Sequence, residues 1–336
     1  MIGAFRVARP KSLEEAVRLL AHHGPEAMIV AGGTDVVPNL QMRLFSPRVL
    51  VDLKPLRSLS GVSYSPAEGL RIGALTTLSQ LLASPIVHEK FSVLASAVAT
   101  IAGPLQRNMG TLGGNLCLET RCRWYNQSHM WRKALGGCLK KDGDICHVAP
   151  GGKFCWAAWS GDSAPALLAL DAELEIVGPA GPRRVPLPNF YKKDGKDRIH
   201  LAPGEIVTSI HVPARMAGRG GAYHKLRVRD SIDYPLAGVA VSMEVDAAGV
   251  CRDARVALTG VNPAPLLVRK ASESLVGKKP SAELIEHVAH AAIQTAKPLT
   301  TSASTPVYRR EMVKLFTRRA LEQAWSAASG PGSRPS

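Results

Sequence analysis

The sequence predicts an α+β protein of more than one domain, and three observations carry that expectation. At 336 residues the chain is long enough for two or three domains and for a sizeable core without staples. Its first 55 residues read as helix, strand, strand, a small α+β unit. From about residue 222 it reads as three strands followed by two helices. Composition agrees: 46% apolar and 21% charged residues, with 30 Gly and 24 Pro, exclude collagen-like, fibrous and disordered classes.

The first helix is expected over 12–23. Ser12 and Glu15 stand at capping-box spacing, Leu13, Ala16, Val17, Leu19 and Leu20 make one apolar face, and Gly24 suits the stop. Strands follow at Ala27–Ala31 and Val49–Leu53. Residues 76–84 and 88–102 read as helices split by Pro85, and small residues on the second suit close packing. Further strands are expected at Ala172–Val177 and Ile206–Val212, with a turn at Pro179–Arg183 between them. After a glycine-rich linker at Met216–Gly221, strands are expected at Ala222–Val228, Gly238–Val245 and Ala254–Val261. Helices at about 281–296 and 305–327 carry stripes of Leu284, Val288, Ala291, Ala292 and of Val313, Phe316, Ala320, Ala324. The expected divisions are 1–55, 56–215 with an insert at 118–158, 218–328, and a disordered tail at 329–336.

No apolar run reaches the roughly 20 residues of a membrane span, and the N-terminus has no apolar block for a signal peptide. A cytoplasmic protein with no membrane partner is expected. The formal charge is +15, yet the basic residues are spread along the chain, no nucleic-acid-binding motif is present and aromatics make up only 5%. A nucleic-acid partner is therefore not expected; a basic surface meeting acidic partner subunits is. Five of the six cysteines (Cys117, Cys122, Cys138, Cys146, Cys155) fall within a 39-residue window. Disulfides are unexpected in such a compartment, so clustered thiols point to a metal or cofactor.

Two glycine turns come next. Ala31-Gly32-Gly33-Thr34-Asp35 follows a strand, and Thr111 precedes Gly113-Gly114-Asn115. Glycines let backbone N–H groups approach a phosphate, and a pair of such turns could clasp a pyrophosphate from both sides. Neither matches the spaced dinucleotide or Walker patterns, and a structural turn explains either one alone.

Together these motifs resemble the two FAD-binding motifs of the flavoprotein subunits of the xanthine dehydrogenase family of molybdenum hydroxylases. The resemblance continues through Gly161-Asp162 and Pro165 to Ala172, Pro203 to Val207, Lys225, Gly260-Val261, and Tyr308-Arg309-Arg310. It implies a two-lobed FAD-binding domain of the vanillyl-alcohol-oxidase-like type, with the flavin between the lobes, and a C-terminal three-stranded sheet with helices. It further implies that Gly32 to Asp35 and Thr111 to Asn115 hold the pyrophosphate, that Asp162 bonds the ribityl or flavin ring, and that Val207 and Lys225 lie near that ring. Asp162 can also be read as a helix N-cap and Lys225 as a surface strand residue.

The chain departs from the family pattern between Asn115 and Asp162, a gap of 47 positions where a short turn is usual. One branch, the β subunits of 4-hydroxybenzoyl-CoA reductase, resembles this: its extra loop binds a [4Fe-4S] cluster through four cysteines. Cys122, Cys138, Cys146 and Cys155 are the candidates, with 15, 7 and 8 residues between them. By residue chemistry alone four thiolates could hold zinc or an iron–sulfur cluster; there is no Cys-x-x-Cys. Cys117 and Cys251 read as small buried hydrophobes, His129 and His147 as surface or packing residues, and Trp124, Trp131, Trp156 and Trp159 as apolar cover.

In that branch, the resemblance implies, electrons from a low-potential, ferredoxin-like donor enter at [4Fe-4S] and pass through FAD to [2Fe-2S] clusters in a small subunit. They then reach a molybdenum cofactor in a large subunit, where 4-hydroxybenzoyl-CoA loses its phenolic hydroxyl. A dimer of heterotrimers is expected. The alternatives are the FAD subunit of an oxidising molybdenum hydroxylase and a metal-stabilised interaction subunit without catalysis.

Overall fold

A computed structural model describes residues 2–301 and 303–329. Three sheets organise the chain. The first unit runs β1 (Arg6–Ala8), α1 (Leu13–His23), β2 (Ala27–Val30), α2 (Val36–Gln41) and β3 (Val49–Asp52). Its sheet is parallel in the order β1–β3–β2. Ser12 caps α1 by accepting from the Glu15 amide at 3.2 Å. The Glu15 carboxylate instead accepts from the Lys11 amide, so the expected box closes one residue early. Gly24 ends the helix at φ +50, a left-handed value that glycine adopts without Cβ strain. Strand β1 was not expected: three largely exposed residues carry no periodic signal, and only pairing with β3 defines them.

The second unit contains β4 (Val62–Ser65), β5 (Gly69–Gly73), α3 (Leu78–Leu82), α4 (Pro85–Lys90), α5 (Ser92–Ala99), α6 (Pro104–Met109), α7 (Leu112–Leu116), α8 (His129–Ala134), α9 (Ser163–Ala169), β6 (Glu173–Gly178), β7 (Gly181–Pro186), α10 (Leu187–Phe190) and β8 (Ile206–Val212). The sheet is antiparallel in the order β4–β5–β8–β6–β7. Two expected helices resolve into three, because Pro85 opens α4 at a position where its missing N–H costs nothing, and the chain breaks again at Phe91. Phe91 is buried in the core that joins the sheet's inner face (Leu70, Ile72, Leu174, Ile210) to Leu94 of α5 and Leu167 of α9. The expected turn at 179–183 is the β6–β7 hairpin, with Gly181 at φ +97.

The C-terminal unit contains β9 (Gly220–Leu226), β10 (Ala237–Val245), β11 (Cys251–Thr259), β12 (Leu266–Leu267), α11 (Arg269–Leu275), α12 (Ala282–Thr295) and α13 (Pro306–Ala328). The sheet has four strands, not the expected three, because the two-residue β12 adds an edge to β11. Val313, Phe316, Ala320 and Ala324 of α13 are buried, as their spacing predicts. On α12 the buried set is Ile285, Val288, Ala289 and Ala292, rotated slightly from the expected stripe. Arg309 of α13 is 2% exposed and donates to the carbonyls of Leu236 (2.8 Å), Leu299 (2.5 Å) and Gly260 (2.5 Å). Three chain segments are thereby tied to one helix, while burial pushes the guanidinium down to about 10. Ser329 closes α13; residues 330–336, the rest of the tail expected to be disordered, lie outside the described residues. Among the described residues no helix is long and apolar enough to cross a membrane.

Candidate functional site

A cavity of about 510 Å³ is lined by both glycine turns. Ala31, Gly32, Gly33, Thr34 and Asp35 reach it from the β2–α2 connection, and Thr111, Gly113, Gly114 and Asn115 from the start of α7. Asp162 and Val207 complete the lining among the expected residues. The turns touch each other: a Cβ on Gly32 would overlap the Met109 carbonyl oxygen and stand 2.5 Å from its carbon. Only glycine permits that approach.

The two turns differ in what their amides do. The amides of Leu112 and Gly113 donate to the carbonyls of Thr76 (3.0 Å) and Ala74 (2.9 Å), and Gly114 donates to the Thr111 hydroxyl at 3.1 Å. The amides of Gly32, Gly33, Thr34 and Asp35 have no acceptor among the described residues. The first turn therefore offers free donors to an anion, and the second offers shape and side chains.

Asn115 and Asp35 are both anchored. Asn115 Oδ1 accepts from the Ser163 hydroxyl (2.5 Å) and amide (3.3 Å), which ties the second turn to α9. Asp35 Oδ2 accepts from Asn39 Nδ2 (3.2 Å) and the Glu119 amide (3.1 Å), and Oδ1 from Arg121 (2.8 Å). Arg121 also lies over the Tyr234 ring, 4.0 Å from its centroid, and bonds the Tyr234 hydroxyl. Tyr234, with Ile232 and Asp233, brings the β9–β10 connection into the cavity wall. Sequence reasoning missed these three residues; they sit in a turn without motif, and only the docking of the C-terminal sheet places them.

Asp162 occupies the N-cap position of α9, but its carboxylate does not cap the helix. It accepts instead from the Tyr223 hydroxyl (2.6 Å) and from Lys225 Nζ (3.0 Å). Both partners of the ion pair are buried, with side chains 4% and 2% exposed. Burial pushes the Asp162 carboxyl up and the Lys225 ammonium down from their usual values, and the attraction between them opposes both shifts. Lys225 also donates to the carbonyls of Thr100 (3.0 Å) and Asp233 (2.8 Å). It does not line the cavity itself; it stands behind Asp162 and fixes it, so the surface-residue reading fails.

The 118–158 segment is closed at its neck, where Arg121 and Ala158 exchange backbone hydrogen bonds of 2.8 and 2.7 Å. Its only α-helix is α8, and Arg132 of α8 is buried and donates to the Met42 (3.0 Å) and Arg43 (2.9 Å) carbonyls beyond α2. Cys138, Cys146 and Cys155 are buried and Cys122 is partly buried; all four are free thiols. Burial raises the Cys122 thiol, and nearby Cys138 and Cys146 add to the shift. Burial pushes Cys155 up to about 11, with Cys122 contributing and Lys140 opposing. No three His, Cys, Asp or Glu side chains among the described residues are arranged to hold a metal ion. Cys251 is buried, and Cys117 is raised to about 11 by burial. His147 bonds the Gly137 carbonyl at 2.7 Å and packs on Trp124, which also meets Trp131; His129 is exposed. Trp159 belongs to the main core rather than to the insert.

Residues 3–215 match the family described as the FAD binding domain in molybdopterin dehydrogenase, and residues 221–324 the CO dehydrogenase flavoprotein C-terminal domain. The carbon monoxide dehydrogenase medium chain of Hydrogenophaga pseudoflava is 32% identical over 96% of this chain and 97% of its own length. A putative xanthine dehydrogenase FAD-binding subunit of Escherichia coli K12 is 28% identical over 96% of each chain. The solved structure of carbon monoxide dehydrogenase from Hydrogenophaga pseudoflava superposes with a TM-score of 0.80 at 30% identity, covering 97% of this chain and 99% of the other.

Proposed function

The chain belongs to the FAD-binding subunits of the xanthine and carbon monoxide dehydrogenase family, and from that premise we propose a specific role within it. It is the FAD- and [4Fe-4S]-carrying electron-transfer subunit of a molybdenum enzyme of the 4-hydroxybenzoyl-CoA reductase type. The observation that supports this reading is the 118–158 segment, which carries four free cysteines, three of them buried and Cys122 partly buried. A cubane bears one thiolate on each of four irons, so its thiolates need not crowd one point as those of a single zinc ion must.

The cavity residues fit FAD, and the four thiols are the residue type an iron–sulfur cluster takes. The free amides of Gly32 to Asp35 would hold the pyrophosphate, while Thr111 to Asn115 close the opposite side. Asp162, oriented by Tyr223 and Lys225, would bond the ribityl or flavin ring beside Val207. Cys122, Cys138, Cys146 and Cys155 would ligate the cluster. Bound there, FAD supplies one- and two-electron chemistry and the cluster one-electron chemistry at low potential. Leu118 in the cavity lining is buried, and Trp124 and Trp131 pack on each other within the 118–158 segment.

A molybdenum-binding large subunit, a [2Fe-2S] small subunit and a ferredoxin-like donor complete the proposed assembly, a dimer of heterotrimers. Native purification tests it. About four iron and one FAD per chain, co-purifying molybdenum, and reduction of 4-hydroxybenzoyl-CoA are expected. A second reading, the FAD subunit of an oxidising hydroxylase, is favoured by the relatives' own names, which are dehydrogenases. A flavin spectrum without iron–sulfur absorption would select it. A spectrum with neither would select an interaction subunit.

A further inference from the structure

Among the contacts that join the insert to the flavin cavity, one is buried at both ends. Lys140 and Glu119 form an ion pair with side chains 5% and 4% exposed. The Lys140 ammonium donates to Glu119 Oε1, to the Thr120 hydroxyl and, at 2.7 Å, to the Gly195 carbonyl. It lies 4.4 Å from the centroid of the Tyr125 ring. On the cavity side, Glu119 lines the flavin site, its amide donates to Asp35, and Arg198 approaches its second oxygen at 3.5 Å. On the cysteine side, Lys140 is two residues from Cys138, and the Gly195 amide donates to the Cys155 carbonyl at 2.8 Å. Asp194 accepts from the Cys155 amide at 3.3 Å. Polar contacts therefore run from the first glycine turn through Glu119 and Lys140 to the backbone of Cys155, and Lys140 is two residues along the chain from Cys138.

We propose that Lys140 is a positioning residue that couples occupancy of the cysteine site to FAD affinity, through Glu119 and Asp35. This rests on the proposed cluster. The physical argument is linkage. A group bound by the cysteines fixes the 138–155 segment, and so fixes the Lys140 ammonium on Glu119. The backbone amide of Glu119 in turn donates to the Asp35 carboxylate at the end of the first turn. Ordering that the cluster has already imposed is ordering that FAD no longer has to impose, and the same coupling must act in the reverse direction.

The test measures the FAD dissociation constant by flavin fluorescence quenching in iron-loaded and chelator-depleted forms of the full chain. The wild type should bind FAD at least about 5-fold more weakly when depleted. In Lys140→Met the ratio should fall toward one, and Lys140→Arg, which keeps the charge, should restore part of it. A general packing loss in the methionine variant would shift both forms equally and leave the ratio intact, which would overturn the assignment of Lys140. Equal affinities in the loaded and depleted wild type, at about four iron per chain, would overturn the coupling and leave the cluster standing. A chain that binds no iron would instead remove the cluster, and the coupling with it.

Discussion

Gly32 shows how much a single hydrogen-for-methyl exchange can decide. Its Cα hydrogen faces the Met109 carbonyl, so Gly32→Ala must push the two turns apart. Overpacking of this kind typically costs about 1–3 kcal/mol, and here it acts on the proposed FAD cradle itself. The variant should lose most of its bound flavin, read from the flavin-to-protein absorbance ratio; full retention would show that the turns can separate freely. The Asp162–Lys225 pair sets a second residue-scale expectation. Removing one member leaves a buried charge uncompensated, which costs about 3–5 kcal/mol, so Lys225→Met should lower stability to denaturant by that order. Lys225→Met combined with Asp162→Asn should recover part of the loss, and a double variant no better than the single would contradict the pairing.

At the scale of elements, β7 is tied through Arg183 to Glu205, which immediately precedes β8 and lines the cavity. Arg183 donates to both Glu205 oxygens (2.6 and 2.7 Å), and Glu205 also accepts from the Ala202 amide at 2.7 Å. The Arg183 bonds hold the Glu205 carboxyl below its usual value of 4.5. A carboxyl lowered on folding stabilises the native state above its unfolded value and loses that contribution as pH falls through its folded one. The melting temperature of the wild type should therefore drop faster than that of Glu205→Gln as pH is lowered from about 5 toward 3. Parallel curves would show that the pair carries no such linkage.

Elements also mark how far the sequence was legible. The Ile206–Val212 strand agrees residue for residue with its expectation, because β-branched Ile206, Val207, Thr208, Ile210 and Val212 favour a strand and a turn at Pro203-Gly204 precedes it. The expected strands of the C-terminal sheet fall within three residues of those observed, and α13 within one. What escaped notice was short: β1, β4, β5, β7, β12, α2, α6, α7, α8, α10 and α11 are two to seven residues long. Pieces of that length draw their stability from neighbours rather than from periodicity. The site divides in the same way. Glycine turns, Asp162 and the cysteine insert carry recognisable residue types in order; Tyr234, Glu119 and Lys140 matter only for where the fold brings them.

For the whole molecule, the +15 charge is the feature that bears on partners. Arg123, Lys133 and Lys153 are exposed in the 118–158 segment, as are Met130, Leu135, Ile145 and Phe154, so the segment that carries the four cysteines presents both basic and apolar side chains. An acidic donor docking there would be steered electrostatically, so its reaction with the assembled enzyme should slow steeply between low and physiological salt. A rate that ignores ionic strength would exclude this surface as the entry point.

The linear chain determined the α+β class, the two glycine turns, the clustering of five cysteines and the family, because each rests on residue type and order along the backbone. The tertiary structure alone decided which turn keeps free amides, that Asp162 faces Lys225 instead of capping α9, and that Glu119 and Lys140 meet between the two proposed cofactor sites. Those outcomes depend on hydrogen-bond partners tens of residues away and on burial, which makes an unpaired charge too costly to leave alone. No local pattern encodes either.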